Sequence, residues 1–459
     1  MILLQLIAAY LTLLGAGLGV TLLIFRGARR LNLLECGCLA WLFGTGIVSL
    51  LLWICGIFTS GLSLQAIVTF ACLALGLTGW RTKQRGDSKF ALPLPRGAIE
   101  WLLAGFIVIE IATIFFVSCK HTLGWDGLLN WEIKARYAFL NGGVIPAAYY
   151  SDTGRAFSHP EYPLGIPFTE LWLYLWMGEP HQFWGKTIFP VFYAVGAILL
   201  ALFAARMSGQ RWCGLFVAAV LPFIPFLTQG PGGVIVAYAD FPLSVFYLTA
   251  LGYLLYSVEK GEPYSFLIYS SCLALLPWVK HEGVILWSIL ALLGLVASWW
   301  QSKLRVFILA LGPGLLLLGS WRLYLKLMHV IPPSDFALPT LRTLHDNVDR
   351  IVPIVRVLLV EIMEASHWSI FWLLTGLALV YLLFLFRNMR SLLLSSAILL
   401  PIIVYSSTYL FSTWPSYSAH ITSSVPRLLL HVVPAAWLAI GLVLPLASAK
   451  RIRFRHVST

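Results

Sequence analysis

Asp126 stands in the segment Gly124-Trp125-Asp126-Gly127, a few residues beyond a long apolar run (residues 101–117). An ionised carboxylate next to lipid is costly to hold there, so it is expected to have a function. One role is that of a general base, which takes a proton from an attacking hydroxyl group. The other is to cap the helix that follows. We favour the base.

Four further clusters of ionisable and aromatic residues are spread along the chain. They are Ser-His-Pro-Glu-Tyr-Pro-Leu at 158–164, Tyr-Ala-Asp-Phe-Pro at 238–242, Trp-Val-Lys-His-Glu-Gly at 278–283 and His-Ile-Thr-Ser-Ser-Val-Pro-Arg at 420–427. Asp240 is a second candidate catalytic carboxylate, although it would also cap its helix, with Pro242 in the first turn. The clusters together supply carboxylates, cations and aromatic rings.

These residue types fit the transfer of a sugar from a polyprenyl phosphate. The reaction needs a base for the acceptor hydroxyl and cations for the phosphate that leaves. The candidates for the phosphate are Lys280, Arg427 and His281. Arginine binds phosphate in a bidentate manner and lysine binds it as a point charge. Lys280 would otherwise only extend its ammonium group to the membrane surface.

A third set of residues is expected to contact the sugar, in part through aromatic faces. It comprises Trp125, Arg136, His159, Glu161 and Tyr162. His159 and Glu161 would alternatively fix their loop. Together with Asp126 they are also candidate ligands for a divalent cation, which is the one cofactor that the sequence suggests.

The composition excludes most soluble classes. Of the 459 residues 59% are hydrophobic and 11% are charged, whereas soluble domains average roughly 25% charged residues. The net charge of +12 does not predict nucleic-acid binding, because the cations are scattered through short loops. Membrane lipids account for them better.

Apolar segments long enough to span a membrane predict an all-α polytopic protein with about thirteen transmembrane helices. They lie near 3–25, 34–58, 62–80, 97–118, 187–206, 211–228, 241–258, 264–279, 284–300, 305–323, 367–386, 391–411 and 428–446. Short basic loops alternate to one side, which the positive-inside rule makes cytoplasmic. The polar stretches 119–186, 229–240, 324–366 and 412–427 then share the outer face.

The first outer loop, 119–186, is predicted to hold helices that do not cross the membrane. Residues 128–137 have helical spacing, and 166–177 is apolar but only about a dozen residues long. A crossing at 166–177 would put Asp240 and Lys280 on the cytoplasmic side or break the alternation of the basic loops. Residues 334–366 are expected to form another surface helix.

The order of these motifs resembles bacterial members of the GT-C membrane glycosyltransferases. The matching segments are Trp-Asp at 125–126, His-Pro-Glu-Tyr-Pro-Leu at 159–164, Tyr-Ala-Asp-Phe-Pro-Leu at 238–243, Lys-His-Glu-Gly at 280–283 and Thr-Ser-Ser-Val-Pro-Arg-Leu-Leu-Leu-His at 422–431. The similar proteins are the dolichyl-phosphate-mannose protein mannosyltransferases and the aminoarabinose transferase of lipid A. The motifs are short, and the resemblance runs from about residue 101 to 434.

The resemblance implies a hexosyl- or pentosyltransferase with juxtamembrane helices over a cavity. The donor would be a polyprenyl- or dolichyl-phosphate sugar, the acceptor a lipid, glycan or protein, and transfer would invert the anomeric centre. Asp126 matches the first-loop catalytic aspartate, Asp240 a later acidic residue, and Lys280 a lysine that contacts the donor phosphate. The expected location is a bacterial inner membrane, with the site on the periplasmic or extracellular side.

Two features depart from the family pattern. Several members have a second acidic residue within two positions of the first, whereas Asp126 is followed by Gly127 and Leu128. Metal dependence is therefore open. Residues 1–96 precede the matching part and are interpreted as an accessory set of transmembrane helices, with 97–459 as the catalytic module.

Other functions compete with this interpretation. A secondary transporter or lipid flippase would show inverted repeats and site residues near the midplane of the membrane, whereas here the polar clusters share one face. A polymerase or ligase of surface polysaccharide would attach a whole glycan. A non-catalytic assembly subunit would not need Asp126.

Overall fold

The computed structural model describes residues 2–26, 28, 30–85, 89–260, 263–301, 304–330, 335–384 and 387–455. Two of the cations in the short loops predicted to be cytoplasmic, Arg29 and Lys303, lie outside the described residues. The protein is 80% helical, as expected for a membrane protein whose backbone polar groups must be satisfied within each segment.

The first half of the chain contains four long helices and then the short helices of the first loop. The long helices are α1 (Ile2–Ile24), α2 (Leu33–Gly56), α3 (Gly61–Gln84) and α4 (Ala98–Lys120). The loop contains a π-helix (Gly127–Glu132), α5 (Ile133–Leu140), α6 (Ala147–Ser151), a 3-10 helix (Thr153–Ser158), α7 (Gly165–Met177) and α8 (Gln182–Gly185). Two short strands, β1 (Arg30–Asn32) and β2 (Lys89–Ala91), pair in parallel with Leu31 opposite Phe90.

The remaining helices complete the bundle. They are α9 (Ile188–Ser208), α10 (Arg211–Ala219), a 3-10 turn (Leu221–Phe223), α11 (Pro225–Gln229), α12 (Asp240–Lys260), α13 (Pro263–Val279), α14 (Gly283–Trp300), α15 (Leu304–Leu327), α16 (Leu341–Asp346), a 3-10 turn (Val348–Arg350), α17 (Ile351–Ile362), α18 (Ala365–Trp368), α19 (Phe371–Phe384), α20 (Met389–Thr408), a 3-10 turn (Tyr409–Phe411), α21 (Tyr417–Leu430) and α22 (Val433–Arg455).

Nine helices of the described chain are long and apolar enough to cross a membrane, or ten if α21 and α22, bent by 48°, count as one span. Shorter apolar helices at Arg211–Phe223, Tyr264–Val279 and Phe371–Phe384 coincide with three other predicted spans. The prediction of an all-α multi-pass membrane protein is confirmed apart from the two short strands. Its count of about thirteen spans is not decided.

The span predicted near residues 211–228 is not one uninterrupted α-helix. The helix ends at Ala219 and is followed by a 3-10 turn and the short α11. Pro222 and Pro225 lie at the starts of these two pieces. Because proline has no amide proton and clashes with the preceding turn, it interrupts an α-helix there.

Helix α12 is the most deeply buried of the nine candidate spans in the described chain, because 83% of its apolar stretch is buried inside the protein. It contacts α9, α13, α20 and α22. Its first residue, Asp240, therefore lies where several helices meet. At the N-terminal edge α1 and α2 approach closely, since a Cβ on Gly17 would lie 1.8 Å from the carbonyl oxygen of Ala40.

The first helices pack directly on the rest of the bundle. The Trp172 indole in α7 donates to the carbonyl of Ala9 at 3.0 Å. The Tyr10 and Thr187 hydroxyls lie 2.6 Å apart, and Arg206 pairs with Glu35. These contacts cross the predicted boundary at residue 96. The accessory role predicted for residues 1–96 concerns activity and stays a prediction.

Helix α7 begins and ends at the same end of the bundle. Near the ends of α2 and α13, Trp53 and Trp278 have ring centroids 5.1 Å apart. Gly165, the first residue of α7, packs against the backbone of Trp278. The other end of α7 approaches Gly143 through Leu175, next to the turn between α2 and α3. We call this end of the bundle the site end.

Candidate functional site

Four predicted residues meet at the site end although they are far apart in sequence. Asp126 precedes the π-helix, Asp240 begins α12, Lys280 lies in the turn between α13 and α14, and Arg427 lies near the end of α21. Ion pairs join all four side chains. We call them, together with His431 and Glu282, the ion network.

Asp240 is the centre of the ion network and is fully buried. Its Oδ1 accepts a hydrogen bond from Lys280 Nζ at 2.8 Å and lies 3.1 Å from His431 Nε2. Its Oδ2 accepts from Arg427 at 3.2 Å. A buried carboxylate needs this degree of pairing to stay charged. In this geometry Asp240 positions the cations around it.

Asp126 is the partly exposed carboxylate of the ion network. Its Oδ2 lies 2.6 Å from Arg427, and its side chain is 22% exposed. It occupies the N-cap position of the π-helix, but the side chain makes no capping hydrogen bond. The capping role weighed for Asp126 is therefore not seen. Its backbone N–H donates instead to the hydroxyl of Tyr238 at 3.0 Å.

Arg427 lies between the two carboxylates and over an aromatic ring. Its guanidinium stands 4.9 Å from the ring centroid of Tyr238, which adds a cation–π contact. The Nε of Arg427 and the Oε2 of Glu282 are buried without a hydrogen-bond partner in the described structure. Buried polar atoms are nearly always paired, so such atoms indicate a place where a ligand or water completes the site.

Lys280 is buried and shared between two carboxylates. Its side chain is 1% exposed, and Nζ lies 2.7 Å from Glu282 Oε1 in addition to the contact with Asp240. Burial by itself would raise the pKa of Glu282, but Lys280 brings it below its ordinary value. Direct phosphate binding by Lys280 stays a prediction. Of the two predicted phosphate ligands Lys280 and Arg427, Arg427 is the one whose side chain solvent reaches, at 21% exposed.

His431 was not among the residues selected from the sequence. It is fully buried and also lies 3.1 Å from the Tyr405 hydroxyl through Nδ1. The sequence feature that could have identified His431 is its spacing from Arg427. His431 follows Arg427 by one helical turn and therefore lies on the same face of the helix. A search for ionisable residues one turn from each selected cation would have found it.

The 159–163 segment lies beside the ion network. His159 Nδ1 lies 3.1 Å from Glu161, as in the loop-fixing alternative. The Tyr162 ring stacks on His281 with centroids 5.6 Å apart and lies 5.7 Å from Trp131. Tyr162 and His281 are thus held together, but neither makes an ion pair with Asp126 or Asp240 in the described structure.

The remaining two residues predicted to contact the sugar, Trp125 and Arg136, are not part of the ion network. Trp125 is 71% exposed and stands next to Asp126. Arg136 pairs with Glu132 at 2.9 Å, and Glu132 also accepts from Tyr174 at 3.2 Å. The structure does not bring Arg136 into the ion network. Sugar binding by Trp125 and Arg136 stays a prediction.

Lys134 is a further buried cation that the sequence did not single out. It is fully buried, donates to Asn130 Oδ1 at 2.7 Å and lies over the rings of Trp131 and Tyr162. Burial lowers the pKa of Lys134 to about 7, against the opposing effects of Glu161 and Asp126. Lys134 therefore loses its proton more readily than an exposed lysine does.

The backbone between α11 and α12 supports the first loop. The N–H of Gly124 donates to the carbonyl of Val236 at 3.0 Å, and Gly127 packs against the same carbonyl. Ala237 has a φ of 65°, which is uncommon for a residue with a Cβ and is often found at functional sites. This contact places Asp126 beside Tyr238 and α12.

No group of three or more His, Cys, Asp or Glu in the described residues is arranged to hold a metal ion. Asp126, His159 and Glu161, which the sequence offers as ligands for a divalent cation, therefore do not form such a group. Both carboxylates of this set already make an ion pair: Asp126 with Arg427, and Glu161 with His159.

The fold and the ion network define a multi-pass α-helical membrane protein with a charged site at one end of its helix bundle. No family model, curated protein or solved structure matches the chain.

Proposed function

We propose that this protein is an integral-membrane glycosyltransferase that uses a polyprenyl-phosphate sugar as donor. Asp126 takes the proton of an acceptor hydroxyl group, and the hydroxyl oxygen forms a new bond to the anomeric carbon of the sugar. The bond from that carbon to the phosphate oxygen breaks, and the polyprenyl phosphate leaves with the electron pair. Attack from the side opposite the leaving group inverts the anomeric centre.

The observation that carries the proposal is the unequal burial of two carboxylates on one arginine. Asp126 is 22% exposed and makes no capping hydrogen bond, while Asp240 is 0% exposed. A general base must reach substrate, which suits Asp126. Asp240 holds Arg427 and Lys280 in place, and the unpartnered Arg427 Nε suits a phosphate oxygen as acceptor.

The one-sided location of the site supports a transferase over a transporter. A transporter places its site near the midplane and exposes it alternately to both faces. Here all four network residues selected from the sequence lie at helix ends or in turns of the site end. The same proposal includes the topology. The chain crosses a bacterial inner membrane about thirteen times, and the site end faces the periplasm or the exterior.

The test is transfer by the purified protein. It is incubated with a panel of polyprenyl-phosphate sugars and with lipid, glycan and peptide acceptors, and the products are identified by mass spectrometry. We expect one donor to be consumed and the Asp126→Asn variant, folded as the parent, to be inactive. Turnover by Asp126→Asn equal to that of the parent would remove Asp126 as the base.

A further inference from the structure

A cavity of about 270 Å³ lies at the end of the bundle opposite the site end, beside the paired strands β1 and β2. We call it the strand cavity. Its lining comes from both sides of the predicted boundary at residue 96: Leu31 and Leu92 lie before that boundary, and Arg206, Tyr256 and Tyr264 lie after it. A ligand in the strand cavity would therefore contact the first helices and the rest of the bundle at once.

The acid in the lining of the strand cavity, Glu35, already has its partners. Both of its carboxylate oxygens accept hydrogen bonds from Arg206, and the Tyr253 hydroxyl donates to Oε1 as well. Glu35 is also buried. This carboxylate is therefore committed to Arg206 and does not neutralise the other cations around the cavity.

Arg30 and Lys89 are two such cations, and they stand opposite each other in the parallel strands. Neighbouring strands lie about 4.8 Å apart. Arg30 lines the cavity, and so does Ala91, which is two residues beyond Lys89 and lies on the same face of β2. Both cations are exposed, and neither makes an ion pair with a residue that the structure describes. Because like charges at paired positions repel each other, this arrangement favours a bound anion.

Exposed apolar side chains lie next to the two cations. They are Leu92, which lines the strand cavity, and Leu33 and Leu34 in the first turn of α2. Helices α1 and α2, which precede and follow β1, are both long and apolar enough to cross a membrane. The cations therefore stand where two membrane-length helices end, beside leucines that lipid chains can cover.

A phospholipid with a net negative charge has both features that this arrangement needs. Its phosphate accepts hydrogen bonds from a guanidinium and an ammonium group, and its acyl chains cover apolar surface at the end of a span. Basic pockets between transmembrane helices on the cytoplasmic side bind anionic headgroups. Arg30 and Lys89 belong to the short basic loops that the positive-inside rule assigns to that side.

We propose that the strand cavity binds the headgroup of an anionic phospholipid of the surrounding membrane, with Arg30 and Lys89 as the ligands of its phosphate. The bound lipid joins residues 1–96 to the rest of the bundle. It is neither the donor nor the acceptor of a reaction, so this site does not depend on the proposed function.

The test compares two phospholipids with the same acyl chains. The full-length protein is placed in nanodiscs of dioleoyl phosphatidylcholine, with or without dioleoyl phosphatidylglycerol, and backbone hydrogen–deuterium exchange is followed by mass spectrometry. When the anionic lipid is present at about ten times its Kd, exchange in β1, β2 and the first turn of α2 should slow by roughly tenfold. Exchange at the site end should not change.

Matched variants separate this site from a general effect of surface charge. In Arg30→Gln/Lys89→Gln the protection by phosphatidylglycerol should disappear. Arg81→Gln/Arg85→Gln removes the same charge at the end of α3, outside the strand cavity, and should keep the protection. The thermal midpoint of Arg30→Gln/Lys89→Gln in phosphatidylcholine should equal or exceed that of the parent, because the repulsion between the strands is gone. If this variant does not fold, Lys89→Gln alone must show less protection than the parent.

Three results overturn the proposal. The first is equal exchange of the parent in the two lipids. The second is protection that persists in Arg30→Gln/Lys89→Gln, or that is lost to the same extent in Arg81→Gln/Arg85→Gln. The third is loss of the protection when inorganic phosphate is added at the concentration of the lipid, which would make the cavity a site for free phosphate. A failure to transfer any sugar leaves this assignment unchanged.

Discussion

Arg427 joins Asp126 to Asp240 through a single guanidinium nitrogen, at 2.6 Å from one carboxylate and 3.2 Å from the other. The first carboxylate is partly exposed and the second is fully buried. A loop that leaves α4, the start of α12 and the end of α21 are thereby fixed to one another. The position of the proposed base depends on this bridge.

Asp126→Asn should reduce transfer by roughly 100- to 10,000-fold, because the amide keeps the shape but cannot accept the proton. Turnover at saturating donor is measured alongside the midpoint of thermal unfolding, which should change little for a side chain that is 22% exposed. Asp346→Asn, whose ion pair is exposed, is the matched control and should keep full activity. Loss of folding in Asp126→Asn would point to a structural role instead.

Asp240→Asn should destabilise the protein, because it removes the buried partner of Lys280, Arg427 and His431. Removal of one member of a buried ion pair costs about 3–5 kcal/mol. Chemical unfolding in detergent measures the loss. A loss no greater than that of the exposed Asp346→Asn variant would show that the ion network does not support the fold.

Arg427→Lys should impair transfer more than stability. The lysine keeps the charge but loses the planar group that lies over the Tyr238 ring and the Nε that has no partner in the described structure, so Asp126 and the donor phosphate should both be held less firmly. We expect a lower turnover and a higher KM for the donor, with a small change in the unfolding midpoint. A large loss of stability with normal kinetics in the folded fraction would reverse this assignment.

Glu35→Gln tests the opposite end of the bundle. Glu35 is 5% exposed and binds Arg206 and Tyr253, far along α2 from the site end. We expect a lower free energy of unfolding, since the ion pair between the buried Glu35 and the partly exposed Arg206 is lost, but normal turnover per folded molecule. Reduced turnover with normal donor binding would show coupling between the two ends.

Lys134→Met should change the pH dependence of stability. The pKa of Lys134 falls from 10.5 to about 7 because of burial. Between these values the unfolded chain holds a proton that the folded chain does not, so the free energy of unfolding rises with pH. The midpoint of thermal unfolding of the parent, relative to Lys134→Met, should therefore rise from pH 7 to pH 10. Parallel curves would contradict this.

The sequence by itself determined most of the long apolar helices and the residues worth testing. Apolar runs of about 20 residues predict spans without reference to any partner, because a helix satisfies its own backbone in lipid. The short apolar stretch at 166–177 was likewise recognised by its length. Asp126, Asp240, Lys280 and Arg427 stood out because ionisable residues beside apolar segments are rare.

Only the tertiary structure decided which of these side chains touch. Sequence cannot show that Lys280 is buried between Asp240 and Glu282 while Arg427 stays partly exposed, because burial depends on helices distant in sequence. The sequence alone did not single out His431 and Lys134 for the same reason: the role of a charged side chain depends on the partners that the packed helices place around it.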